Sequence, residues 1–306
     1  MNQSTAPTDR ARILRVLLHI ESCLEDSLPL DALADQTALS PFHFHRLFRS
    51  VVGEPVHRHI RRLRLERAAL FLKNSTVSTV DLSLTAGFDS REAFSRAFKT
   101  HFGAPPRVFR ERATQGLKQL LRKLDGQPPL VVRIEEWPSQ PIVLTRVIGS
   151  PFRVTEAWWH FLHWAKRRGL IRRNSRIAQI HHDDEIVTPW EKHRTDLCLL
   201  VPEPLAVQPP YVASFLPAGW HAVAEFQGSA YGLYLAWLDL TERWLPVSGW
   251  HPAHHGFYDL ADADVIPLSL TAAAAPLSNG IRCQLCIPVQ RRPYPGWPIL
   301  VSRELE

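Results

Sequence analysis

The first third of the chain repeats its apolar side chains at helical intervals. Ile13, Val16, Leu17, Ile20 and Leu24 put a stripe on a helix over residues 12–25. Leu30, Leu33 and Ala34 share a face of a short second helix, and Thr37-Ala38-Leu39 reads as a turn. Ser40 follows as an N-cap, its hydroxyl able to accept from the free amides of the next helix, and Pro41 stands at the first helical position, where a missing N–H costs nothing. That helix predicts an end at Val52, with Gly53 as its C-cap. Phe44, Leu47, Phe48 and Val51 face the core, which leaves Phe42, His45, Arg46 and Arg49 outside. Helix, three-residue turn, helix is the helix-turn-helix pattern.

The pattern then recurs 50 residues on. Ser40, Phe44, Arg46, Phe48, Gly53 and Pro55 are matched by Ser90, Phe94, Arg96, Phe98, Gly103 and Pro105. In the second copy Leu82 and Leu84 precede the turn Gly87-Phe88-Asp89, and a helix over 90–102 buries Phe94, Ala97 and Phe98 while showing Arg91, Glu92, Ser95, Arg96 and Lys99. A helix over 55–73, striped by Val56, Ile60, Leu63 and Leu70, joins the copies. Such a helix is roughly 27 Å long at about 1.5 Å per residue, close to the roughly 34 Å between successive major grooves on one DNA face. One chain can therefore bring two reading helices to adjacent grooves.

After a basic, polar stretch ending in Gly126-Gln127-Pro128-Pro129 the texture changes, and 113–130 reads as a linker. Strand-like runs appear at 131–134, 142–148, 197–201, 222–226 and 285–289, separated by Trp-rich helical runs. A second duplication lies here, offset by 79: Gly149-Ser150 matches Gly228-Ser229, and Trp158 matches Trp237. The fold predicted is an all-α double helix-turn-helix domain over 1–112 and an α+β domain over 131–290. The latter is two strand–helix–strand–strand units, 131–204 and 212–290, about a pseudo-twofold axis with a central cleft, followed by a tail over 291–306.

Charge sharpens this division. Residues 1–125 hold 20 Lys/Arg against 13 Asp/Glu, a balance of +7, whereas the remainder is at −1. A polyanion partner for the first half alone is implied. All ten tryptophans lie from Trp137 onward, and a concave aromatic cleft suits a flat or cationic small molecule. Trp158, Trp220, Glu225, Tyr231, Tyr234, Trp237 and Tyr258 are the candidate residues for it. The four cysteines form no disulfide framework, and Cys283 and Cys286, three apart on a strand, read as buried strand cysteines. The histidines of His181-His182-Asp183-Asp184 and His251, His254 and His255 read as structural rather than metal-binding, and no cofactor is expected. No apolar run spans a bilayer, and the polar start with Asp9 makes a poor signal peptide, so a cytoplasmic location is expected.

Residues 12–112 resemble the AraC/XylS family DNA-binding domain, through LDALADQTALSPFHFHRLFRSVVG, RRLRLERAALFL and LTAGFDSREAFSRAFKTHFGAPPRVFRER. The resemblance implies double-stranded promoter DNA and RNA polymerase as partners. It also implies that Phe42, His45, Arg46, Arg91, Glu92, Ser95 and Arg96 face bases or nearby phosphates, with Arg49 and Lys99 placed for phosphate. Ser83 and Thr79 depart from the family's alanine and aliphatic residue and are expected to loosen the second unit. Glu92 either meets a cytosine amino group or points away.

The second half resembles the GyrI-like effector-binding domain of Rob-type members of that family, through HHDDEIVTPWEKHRTDLCLLVPEP, PAGWHAVAEFQGSAYGLYLAWLDLTERWLPVSGW and CQLCIPV. This implies sensing of a small hydrophobic or aromatic effector. The family's pocket carboxylate, in a Glu-x-Tyr run, falls here on Gly256 before Tyr258, which counts against a cationic ligand and leaves three alternatives: Glu225 substitutes, the ligand is neutral or anionic, or the site is vestigial. The rival readings for this half are a protein-interaction adaptor and a vestigial hydrolase; without the Glu-x-Tyr carboxylate, a nucleophile elbow or a phosphate loop, catalysis is not expected.

Overall fold

A computed structural model describes residues 6–74, 78–253, 256–263 and 280–291. His254, His255 and nearly all of the expected tail lie outside them. The chain divides into two compact units, the first built chiefly on residues up to Thr114 and the second on those from Gln115.

The first unit is helical: α1 (Pro7–Ser22), α2 (Leu30–Asp35), α3 (Pro41–Val52), α4 (Val56–Asn74), α5 (Thr79–Thr85), α6 (Arg91–Phe102) and the start of α7 (Pro106–Leu121). The expected caps form. Ser40 accepts from the His43 amide and Ser90 from the Ala93 amide, while Gly53 and Gly103 close α3 and α6 at φ of 89° and 70°. Ile13, Val16, Leu17, Ile20, Leu33, Phe44, Leu47, Phe48, Val51, Val56, Ile60 and Leu63 make one core around the first copy. The second copy is held by aromatic rings. Phe98 lies 5.5 Å from Phe94, 4.5 Å from Phe102 and 5.4 Å from Phe109.

Three expectations change here. Leu84 is solvent-exposed, because the inward face of α5 is set by Leu82, Ser83 and Ala86. Ser83 does not leave a loose polar group in that core, since its hydroxyl donates to the Val80 carbonyl at 2.7 Å. And residues 113–121 are the end of α7, followed by a 3₁₀ turn at Arg122–Leu124, rather than linker. No proline stands between Pro106 and Pro128, so nothing stops the helix where the polar composition changed. The segment after it is tied down too: the Leu130 amide donates to Asp239 at 2.8 Å.

The second unit is one antiparallel sheet with two helices. Its elements run β1 (Val132–Trp137), β2 (Gln140–Ile148), α8 (Pro151–Arg167), β3 (Arg176–His181), β4 (Arg194–Leu200), β5 (Val212–Leu216), β6 (Gly219–Gly228), α9 (Ala230–Leu238), β7 (His251–Pro252), β8 (Phe257–Asp262) and β9 (Ile281–Gln290). A π-helical turn at Asp239–Trp244 extends α9. The strand order among the described residues is β1-β6-β9-β8-β3-β4-β2-β5, with β7 added on β9.

That order is a palindrome under the exchange of β1 with β5, β2 with β6, β3 with β8 and β4 with β9. The duplication seen in the sequence is therefore a twofold in the sheet. Neither copy is self-contained, because each copy's first strand crosses to the outer edge of the other's three. The axis falls at the centre of the β3–β8 pair, where Gln179 faces Asp259. Both accept an indole N–H from the matching helix, Gln179 from Trp158 at 3.0 Å and Asp259 from Trp237 at 2.9 Å.

Candidate functional site

α3 and α6 present two faces with the same arrangement. Over residues 41–50 and 91–100 the pattern of buried and exposed side chains agrees at every position but the third. Phe44, Leu47 and Phe48 in one, and Phe94, Ala97 and Phe98 in the other, are buried. Positions 42, 45, 46 and 49, and 92, 95, 96 and 99, stand at i, i+3, i+4 and i+7, which is one outer face of a helix. Phe42 is 79% exposed, a large apolar side chain without a core to enter. Arg46, Arg49, Arg91, Arg96 and Lys99 are exposed, and none is committed to a hydrogen bond or ion pair among the described residues. These are the charges that phosphates and base edges can take.

The two faces share Arg at 46 and 96 and a base at 49 and 99, but differ at 42 and 92 (Phe, Glu) and at 45 and 95 (His, Ser). The joining helix is stiffened from within. Arg62 of α4 is buried and bridges Glu54 at 2.9 Å and Glu66 at 2.8 Å, while His59 meets Glu54 at 3.0 Å. Burial raises the pKa of Glu54, but the His59 and Arg62 contacts outweigh it and bring the group down to about 2. Arg64 reaches from the same helix to the carbonyls of Leu24 and Asp26.

In the second unit the seven candidate ligand residues do not line one cleft. Residues directly opposite in a ladder share a face, and neighbours along a strand point to opposite faces. Trp158 and Trp237 therefore belong to the helix-covered face with Asp259, Leu285, Ala224 and Trp220, whereas Tyr258 aligns with Cys286 and Val223 on the other, as does Glu225. Tyr231 is 60% exposed and stacks on Tyr234 along α9, with Lys123 over Tyr234. Glu225 is no buried stand-in for a pocket carboxylate. It lies exposed between Arg133 at 2.9 Å and Gln284 at 2.8 Å, and the Gln284 contact is the foremost reason its pKa falls.

The face turned away from the helices carries groups that composition and spacing alone passed over. Arg146 and Asp196 form a bidentate pair with both side chains out of solvent, and His182 joins it at 2.8 Å from Asp196. Asp183 holds Arg194 in the same way. His221 is stacked on Trp137 at 4.6 Å, and its ring lies 6.0 Å from that of Tyr258. Cross-strand register would have found these: Trp220 drew attention in the sequence, but its neighbour His221 is the one that shares a face with Tyr258. Cys283 and Cys286 are buried free thiols, and burial pushes both up in pKa. Among the described residues no three His, Cys, Asp or Glu side chains gather as a metal site, and His181 and His182 are each bonded to an aspartate. Among the described residues no helix is long and apolar enough to cross a membrane.

Comparison with known proteins gives this geometry its family. Residues 33–112 match the helix-turn-helix domain model, and residues 131–289 match that of the GyrI-like small molecule binding domain. The chain belongs to the AraC/XylS family of DNA-binding transcriptional regulators, in the form that carries a GyrI-like domain. It is 28% identical to the right origin-binding protein of Escherichia coli (strain K12) over 304 residues, spanning 92% of this chain and all of that one. It is 35% identical over 98 residues to the transcriptional activator AarP of Providencia stuartii, 32% of this chain and 73% of that protein. A solved AraC-type regulator from Chromobacterium violaceum aligns at 29% identity over 34% of this chain and 93% of its own, with a TM-score of 0.33. The Providencia stuartii and Chromobacterium violaceum proteins are named as a transcriptional activator and a transcriptional regulator.

Proposed function

We propose that the regulator reads an asymmetric two-block promoter site as a single chain, with α3 in one major groove and α6 in the next, and that its GyrI-like domain binds a small hydrophobic or aromatic effector. Phe42 and His45 read one block, and Glu92 and Ser95 the other. Arg46 and Arg96 make the equivalent contact in each, Arg49 and Lys99 hold phosphates, and Arg91 adds a further contact at the start of α6. The observation that carries this is the matched outer face of the two helices, with every basic side chain on it uncommitted. The DNA-bound protein works in the cytoplasm and acts through RNA polymerase. Domain limits of 1–112 and 131–290 fit the reading.

Binding to fragmented genomic DNA tests it, by sequencing what is retained by wild type and by Arg46→Ala with Arg96→Ala. Enrichment of two unlike blocks about one helical turn apart, lost in the variant, is the expected result. Diffuse, salt-sensitive retention that is equal in the variant overturns sequence reading and leaves only phosphate binding.

A further inference from the structure

The twofold in the sheet supplies an internal control for every side chain on the face away from the helices. Through the paired ladders, Tyr258 is the mate of Ala178 and His221 the mate of Ile142. Ala178 and Ile142 are buried and apolar, as such positions ordinarily are. Their mates are equally buried but polar, and among the described residues Tyr258 Oη and His221 Nε2 have no hydrogen-bond partner; nor does Nδ1 of the buried His251. Burying such groups unpaired is destabilising, and the other copy demonstrates that the fold does not need them.

The three are also arranged together. Tyr258 pairs with Cys286, His221 with Pro288 and His251 with Gln290, alternate residues of β9 and so one face. At about 3.4 Å per residue they cover roughly 14 Å, the length of two or three fused rings. Resting on the effector-binding reading above, we propose that Tyr258, His221 and His251 form a binding site for an uncharged, flat molecule bearing both a hydrogen-bond donor and an acceptor. His221 Nδ1 lies 3.0 Å from the Gly219 carbonyl, which fixes the proton there and leaves Nε2 to accept. Burial holds this imidazole neutral and the Tyr258 phenol protonated and donating.

The charges on this face already have partners. Asp196 is held by Arg146, Asp183 by Arg194, and Glu225 and Glu135 by Arg133, while Arg176 is bonded to Gln284. A carboxylate cannot enter at Gly256 either, because even a Cβ there would lie 2.6 Å from Ile180 Cγ2 and 2.7 Å from the His181 carbonyl oxygen. A cationic ligand finds no free counter-charge, and an anion would meet the lone pair of His221.

The test uses the full chain and three probes of one shape: 2-naphthamide, 2-naphthoate and 2-naphthylmethylammonium, followed by ligand-observed NMR and by the 15N shifts of labelled histidines. The amide is expected to bind and to shift His221 Nε2, and Tyr258→Phe to weaken it by about tenfold, as loss of one buried hydrogen bond does. Tyr258→Phe is expected to raise Tm by about 2–4 °C, since it removes an unpaired buried hydroxyl, whereas His221→Ile removes an unpaired Nε2 but also the Nδ1 bond to Gly219 and is expected to leave Tm within about 2 °C. A preference for the ammonium overturns the uncharged-ligand assignment and leaves effector binding standing. Failure of all three at millimolar concentration overturns both. A fall in Tm for both variants shows that the polar groups are structural, and overturns the site.

Discussion

α3 and α6 keep the same pattern of inside and outside at nine of ten positions over 41–50 and 91–100, whereas the two halves of the sheet keep the same strand order and diverge in what they bury. In the helical copies the chemistry common to both is outside, Arg46 with Arg96 and Arg49 with Lys99. In the sheet copies it lies at the axis, where two tryptophans donate to Gln179 and Asp259. Away from the axis the mates part: the buried Arg146–Asp196 pair of one copy corresponds to the exposed Glu225–Gln284 pair of the other. Copies that must each meet a similar repeating surface stay alike. Copies that jointly enclose one asymmetric partner have no such constraint.

The widest gap between mates gives the largest expected effect. Arg146→Ala leaves Asp196 charged and buried and is expected to destabilise the second unit by roughly 3–5 kcal/mol. Arg133→Ala, at the exposed pair, is expected to have a far smaller effect, because solvent screens an exposed ion pair. Calorimetric melting of both variants checks this. Equal losses would mean that the two copies weight this position alike, against the comparison.

The helical copies should behave in the opposite way. Arg46→Ala and Arg96→Ala are each expected to weaken a purified operator by about ten- to a hundredfold, a contribution of roughly 1–3 kcal/mol apiece. Exchanging Phe42→Glu with Glu92→Phe should alter block preference more than total affinity. Titration against operators mutated in one block at a time distinguishes a base contact from a phosphate contact, because only the former depends on the block.

How far the sequence carried this picture depends on the period involved. Helical stripes, serine caps and closing glycines are local, so α3 and α6 were legible to within a residue, and with them the outer faces. The second half was legible as a duplication and as five of its strands. Which side of the sheet each residue faces was not, because Trp220 and His221, or Tyr258 and Asp259, are neighbours in sequence and lie on opposite sides of the sheet. Only register decides which of each pair shares a face with Cys286. The exchange of β1 and β5 between copies was invisible for the same reason: a strand's own pattern does not name its partner. The helix over 113–121 was missed because composition marks polarity, not backbone.

Acid offers a smaller effect confined to the helical unit. Glu54 titrates at about 2 when folded, below its ordinary value, so its contribution is fully present above about pH 4.5 and is lost as pH falls toward 2. With the group partly exposed, screening leaves about 1–2 kcal/mol. Roughly half of that amount is lost between pH 5 and pH 3, so denaturant melts of the first unit's helical signal should show that difference from this group in wild type and lack it in Glu54→Gln. Glu54 and its partners belong to the first unit, so the variant should leave the second unit's acid response unchanged.

The smallest effect lies in the turns, where the helical copies differ in backbone. Ala38 adopts a φ of 54°, a conformation that strains a residue with a Cβ, and it is exposed; in the second copy the left-handed residue is Gly87, at 69° and one place earlier relative to the N-cap serine. Ala38→Gly is therefore expected to stabilise the unit by about 0.5–1 kcal/mol, the strain relieved less the added chain entropy. Gly87→Ala should destabilise by more than that, because strain combines with a Cβ only 2.8 Å from Nη1 of Arg64, a side chain already anchored to two carbonyls. Thermal melts of the two variants make the check. If Gly87→Ala were as mild as Ala38→Gly, Arg64 would be free to move, and α4 would not fix the second turn against the loop that carries Leu24 and Asp26.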